Sequence, residues 1–214
     1  MSAGRIHSGH DGVDLICYSL QLQQVDTTTK GIVMSILTLW QPILLAAALA
    51  FIAGSVVWMF MPWHKKDWSA PNDEEGVSNA LRGLAPGQYN VPHCTDMGDM
   101  NKPEMGQKFK DGPIAFITIL PTGLPVMGPK LAMMFAYNLL VAIVCAYFVS
   151  RTAAPDADYL AIFRISGTVA FVAYGMAYVQ ESIWFGRPWS STAKTFLDSI
   201  IYAVLTGGAF GWLT

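Results

Sequence analysis

An all-α membrane protein, a bundle of four transmembrane helices with a small structured insertion between the first two, is the fold class this sequence predicts. Three observations carry that expectation. The 214 residues are 53% hydrophobic and only 13% charged, about half the charged fraction of an ordinary soluble domain, roughly 25%. Four apolar runs are each long enough to cross the roughly 30 Å hydrocarbon layer as a helix, which takes about 20 residues. The connections between the last three runs are short, so those helices should pack as successive antiparallel neighbours.

The first 33 residues are polar, and Val13-Asp14-Leu15-Ile16-Cys17 is too short and broken for a signal-peptide core. Met34 reads as a natural beginning, which would make residues 1–33 an untranslated upstream extension. The alternative is a poorly anchored polar tail. The first membrane helix is expected within residues 34–63, with residues 43–63 free of charge, Trp40 at one interface and Trp58, Trp63 and Trp68 at the other. Pro62 and the His64-Lys65-Lys66 cluster close it.

Residues 64–130 form the polar insertion. Asp73, Glu74 and Glu75 suit the start of a short helix near residues 72–84, through the helix dipole. Pro103 and Gly112 bracket a second, over residues 103–110. Residues 114–120 are β-prone and, with residues 124–127 after Pro121-Thr122-Gly123, predict either a β-hairpin or an apolar strip lying on the membrane surface. The turn signals around Gly87 and Pro92 argue for a folded loop rather than a linker. Helices over residues 131–150, 159–184 and 195–213 complete the bundle.

Loop charge sets the expected orientation. Lys65, Lys66, Arg82, Lys102, Lys108, Lys110, Lys130, Arg187 and Lys194 share one side of a four-span chain, against Arg151 and, if the leading segment exists, Arg5 and Lys30 on the other. Positive residues favour the cytoplasm, so the insertion should be cytoplasmic and both termini outside a cell or inner membrane. Small residues let helices approach closely in lipid. Ala46, Ala50 and Gly54 on the first helix, and Gly207 and Gly211 on the last, are the expected packing stripes, within the bundle or to another copy.

Candidate chemistry is sparse. Charge within the bilayer is costly and a functional hint. Glu181, Arg187, Lys194 and Asp198 are expected to gather at the cytoplasmic end of the last two helices, most simply as anchors and local ion pairs. His93, Cys94, Met97, Met100 and Met105 offer soft ligands of the kind Cu(I) prefers, set against the bland reading of a methionine-packed loop. Asn138, Thr168, Tyr174, Tyr178, Tyr202 and Thr206 are the polar groups that a proton path through the bundle would need, and they are expected instead to form interhelical hydrogen bonds. No nucleotide loop, nucleophile elbow or HExxH motif is present, no motif names a cofactor or catalytic set, and the net charge of −2 without a basic stripe argues against nucleic acid. Three functions follow as expectations. The leading one is an accessory or scaffold protein that binds a membrane assembly or itself. The others are a metal-handling carrier using residues 94–105, and a membrane enzyme at the cytoplasmic interface using Glu181 or Asp198.

Overall fold

A computed structural model describes residues 35–214; the proposed start at Met34 and the 1–33 extension lie outside them. The chain is mostly helical, with four helices long and apolar enough to span a membrane and a small two-stranded sheet. In order come α1 (Trp40–Phe60), α2 (Glu74–Leu81), β1 (Gly87–Val91), α3 (Pro103–Asp111), β2 (Ala115–Ile119), α4 (Met127–Thr152), α5 (Tyr159–Gly175), α6 (Ala177–Trp184) and α7 (Trp189–Leu213). Short 3₁₀ turns cover Ile36–Leu39, Pro62–Lys66 and Met97–Asn101.

Four details differ from the sequence reading. The β-prone run does not fold back on residues 124–127. Instead β2 pairs antiparallel with β1, Gly87 opposite Ile119 and Val91 opposite Ala115, so the sheet closes around α3 rather than as a hairpin. Leu124 and Val126 stay exposed. The third span is interrupted at Met176, where Val179 N donates to Met176 O, a tighter i→i−3 turn; Gly175 just before it is a poor helix former. The fourth span begins at Trp189 rather than residue 195. Proline readily opens a helix, and the amides of Ser191 and Thr192 both reach back to Pro188 O. The second span starts at Met127 rather than residue 131.

The chain divides into two compact units. Among the described residues, one holds residues 35–54, Phe135–Tyr174 and Ser199–Thr214. Its core is built of small side chains: Ala46 and Ala50, Ala142, Cys145 and Ala146, Ala170 and Ala203 are all buried, with Phe210 filling the remaining space. Gly167, Gly207 and Gly211 bring α7 against α5; a Cβ at Gly207 would meet Phe163 at 2.9 Å, and one at Gly211 would meet Tyr159 at 2.8 Å. A Cβ at Gly54 would lie 3.4 Å from the Tyr202 hydroxyl. Tyr174 donates to Asn138 Oδ1 across helices at 3.1 Å. The packing stripes therefore meet partners inside this unit. The second unit holds Ser55–Met134 and Gly175–Asp198.

Candidate acid–base site

Helix α1 stops at Phe60 because Met61 turns extended ahead of Pro62, which opens a 3₁₀ turn. His64 and Asp67 lie three apart across the end of that turn, so their side chains share a face. His64 Nδ1 stands 2.7 Å from Asp67 Oδ2. Opposite them, Ser191, Lys194 and Asp198 recur at i, i+3 and i+7 along α7, one stripe of a helix. Ser191 Oγ donates to Asp67 Oδ1 at 3.2 Å and Lys194 Nζ donates to the same oxygen at 2.5 Å. Asp198 Oδ2 stands 2.8 Å from the other ring nitrogen of His64.

The imidazole is thus held between two carboxylates, and all three side chains are nearly dry: 4% of His64, 8% of Asp67 and 3% of Asp198 is exposed. Trp58 covers one face of the ring, stacked at 4.3 Å and 5° from parallel, and Trp63 meets it edge-on.

Proton counting follows from this geometry. A neutral imidazole has one donor and one acceptor nitrogen. With both carboxylates ionised, both nitrogens must carry hydrogen, and the set Asp67, His64, Asp198 and Lys194 sums to zero charge. Shifting one proton from Nε2 to Asp198 Oδ2 leaves that sum unchanged. The two carboxyls are not equivalent, however. Burial works against the charge on Asp67, but hydrogen bonds from Lys194, then His64 and Ser191, outweigh it and hold the carboxyl at about 2 against an ordinary 3.8. Asp198 has no cation beyond the imidazole, and its Oδ1 is buried without a hydrogen-bond partner. Trp63 Nε1 is likewise unpartnered at normal hydrogen-bond geometry, although the indole is near enough to interact with Asp198.

Asp67 and Ser191 also form part of the wall of a half-open cavity of about 600 Å³, a size typical of small-molecule sites. The sheet supplies Gln88, Tyr89, Asn90, Phe116, Ile117 and Thr118. The α6–α7 segment supplies Glu181, Phe185, Gly186, Arg187 and Pro188, with Trp68 beside Asp67. Arg187 lies over the Tyr178 ring at 4.5 Å and donates through Nη2 to Thr195 Oγ1, while its buried Nε has no partner.

The four charged residues expected to gather here fall into two places. Lys194 and Asp198 enter the buried cluster; Glu181 and Arg187 stand on the cavity wall. Asp198 is not shallow in its helix, as its expected place near the start implied: it lies nine residues beyond Trp189. Sequence reasoning missed His64 and Asp67 as its partners. The available signal was a histidine and an aspartate three apart, bracketed by Trp63 and Trp68, just past a membrane helix.

The soft-ligand stretch is arranged differently. His93 bonds Asn90 and lines one small cavity, while Cys94 and Met100 line another. Met97 opens a 3₁₀ turn and Met105 lies on α3. Among the described residues, no group of three or more His, Cys, Asp or Glu side chains is placed to hold a metal ion. Comparisons with protein-family models, with curated proteins and with solved structures each find no match for this chain.

Proposed function

We propose that this chain is a multi-pass membrane enzyme, a four-helix bundle whose insertion lies in the cytoplasm, and that it performs acid–base chemistry on a small ligand held in the cavity beside Asp67. The observation that carries this reading is the Asp67–His64–Asp198 chain, which reaches from the cavity wall to a buried carboxylate. A purely structural ion-pair network gains most when every member is satisfied. This one ends at a buried carboxyl whose second oxygen has only the nearby Trp63 indole beside it, rather than a second cation, so that carboxyl can take up the proton the imidazole gives.

Two carboxyls in unlike surroundings also divide the roles. Asp67, bonded to Lys194, Ser191 and His64, is ionised at rest and orients the ring, and Asp198 accepts from Nε2 whether the ring is charged or neutral. His64 Nδ1 gives its proton to Asp67 Oδ2 and the Asp67 carboxyl gives one to the ligand, so Asp67 ends ionised as it began and the imidazole is left neutral; a proton returned by the same two transfers restores the starting state. Trp58 and Trp63 exclude water from this exchange.

The test is conservative replacement with abundance controlled. A strain lacking the chain is complemented with the wild type or with Asp198→Asn, which keeps an acceptor for His64 but cannot ionise. Lipid extracts and small molecules are then compared by mass spectrometry. The expected result is that Asp198→Asn, present at wild-type level, reproduces the chemical profile of the deletion. A profile identical to wild type would overturn the enzyme and return the accessory reading, for which co-purification of a stoichiometric partner is the direct check.

A further inference from the structure

The cavity beside Asp67 has a charge pattern that selects among ligands. Its negative charge at Asp67 is already matched by Lys194. Two charges on the wall remain, Arg187 and Glu181. Among the described residues the ion pairs are His64 with both aspartates, Lys194 with Asp67 and Lys102 with Asp99, so neither Arg187 nor Glu181 is used up, and they do not pair with each other. Yet the two are near neighbours, since the amide of Arg187 donates to the carbonyl of Glu181 at 3.2 Å.

Arg187 is the anion-binding end. Its guanidinium is fixed by Tyr178 and Thr195, its Nε is buried without a partner, and it lies two residues before the start of the 25-residue α7, whose N-terminus favours negative charge. Glu181 is the cation-binding end, an exposed carboxylate on the same wall. Around these ends stand large apolar side chains open to the surroundings: Trp68 is 86% exposed, and Phe116 and Phe185 are each 54% exposed. A free polar solute gains nothing from such a rim, whereas a headgroup still attached to its acyl chains does.

We infer that the cavity binds a zwitterion carrying phosphate and a primary ammonium group, the phosphate on Arg187 and the ammonium on Glu181, presented as the phosphoethanolamine headgroup of a membrane lipid. A net-neutral ligand matches a wall whose two unused charges cancel. The inference deepens the acid–base reading by naming the ligand, but binding does not require the proton relay.

The experiment uses the purified full chain in mild detergent and measures binding of short-chain phosphatidylethanolamine by native mass spectrometry and calorimetry, beside soluble glycerophosphoethanolamine, the same net-neutral diester without acyl chains, and short-chain phosphatidylglycerol. The expected result is saturable binding of the ethanolamine lipid, weakened about tenfold or more by Arg187→Gln and by Glu181→Gln, the loss of one charge-assisted contact each. Glu181→Gln alters an exposed side chain and serves if Arg187→Gln does not fold. Binding is measured without turnover, so failure of the relay and failure of this inference are separable. Equal binding of glycerophosphoethanolamine supports the zwitterion with a soluble source; binding of the lipid alone supports the headgroup. Phosphatidylglycerol binding as tightly, with Glu181→Gln without effect, overturns the inference, as does no binding of any of the three.

Discussion

At the scale of single residues, burial and hydrogen bonding place unlike demands on the two aspartates, and acid should separate them. Asp67 has a carboxyl held at about 2 in the folded chain, below the ordinary 3.8. A lowered value contributes stability that is complete above the unfolded pKa and is lost as pH falls through the folded one. The contribution from Asp67 is therefore present at neutral pH and disappears between about pH 4 and pH 2. Lys194→Met removes the interaction that lowers Asp67 most, so the variant should unfold at higher pH than wild type in an acid titration followed by circular dichroism in micelles. Coincident curves would show that Lys194 and Asp67 are not in contact in solution. Asp198 makes a different test. Asp198→Ala leaves His64 Nε2 buried and unmatched, and breaking a buried pair costs about 3–5 kcal/mol. Asp198→Asn retains an acceptor and should cost clearly less in the same denaturation assay. None of these pairings was readable along the chain. His64 and Asp198 are 134 positions apart, and one sequence gives no information on which distant polar residues meet. What was readable was the local oddity of a charged residue within an apolar helix; Lys194, four residues away, bonds Asp67.

At the scale of elements, the apolar runs were legible because span length is a physical constraint that any membrane helix must meet, and the four candidate spans fall where those runs lie. The ends were less legible. Lys194 looked like a boundary because lysine seldom sits inside a span, but its ammonium has an anion to meet and the helix begins earlier, after Pro188. The sheet was misread because β-propensity marks a strand without naming its partner. Residues 124–127 were nearest in sequence, yet Gly87–Val91 supplies the pairing. Glycine placement gives a sharp prediction at this scale. A Cβ at Gly207 or Gly211 meets backbone as well as ring atoms at 3.0 Å or closer, whereas one at Gly208 finds nothing nearer than 3.9 Å. Gly207→Ala and Gly211→Ala should each destabilise the bundle by about 1–3 kcal/mol, the usual cost of overpacking. Gly208→Ala should stay within about 0.5 kcal/mol, as substitutions away from such contacts do. Equal thermal stability of all three in detergent would mean that α5 and α7 do not approach as closely as these atoms indicate.

At the scale of the whole molecule, the site and the orientation constrain each other. With four crossings, the end of the first span and the start of the last lie on the same side of the membrane. The cluster joins those two places, His64 and Asp67 just beyond α1 with Ser191 and Lys194 in the first turns of α7. The nine positive residues that set the expected orientation flank the same end, so the cavity should open to the cytoplasm. Native cysteines report on this without new residues. Cys94 is partly exposed in the insertion, whereas Cys145 is buried in the bundle. In a Cys17→Ser background, a membrane-impermeant maleimide should leave intact cells unlabelled and react at Cys94 once the membrane is opened. Cys94→Ser should abolish that signal, and Cys145 should react only after denaturation. Labelling of Cys94 in intact cells would turn the molecule over and put the cavity, its zwitterionic ligand and the proton exchange on the outer face. The buried cluster would be unaltered by that result, since its hydrogen bonds do not depend on which side they face. Its proton, however, would then be drawn from the outer solution, and the acid dependence of Asp67 would become an exposure to external pH.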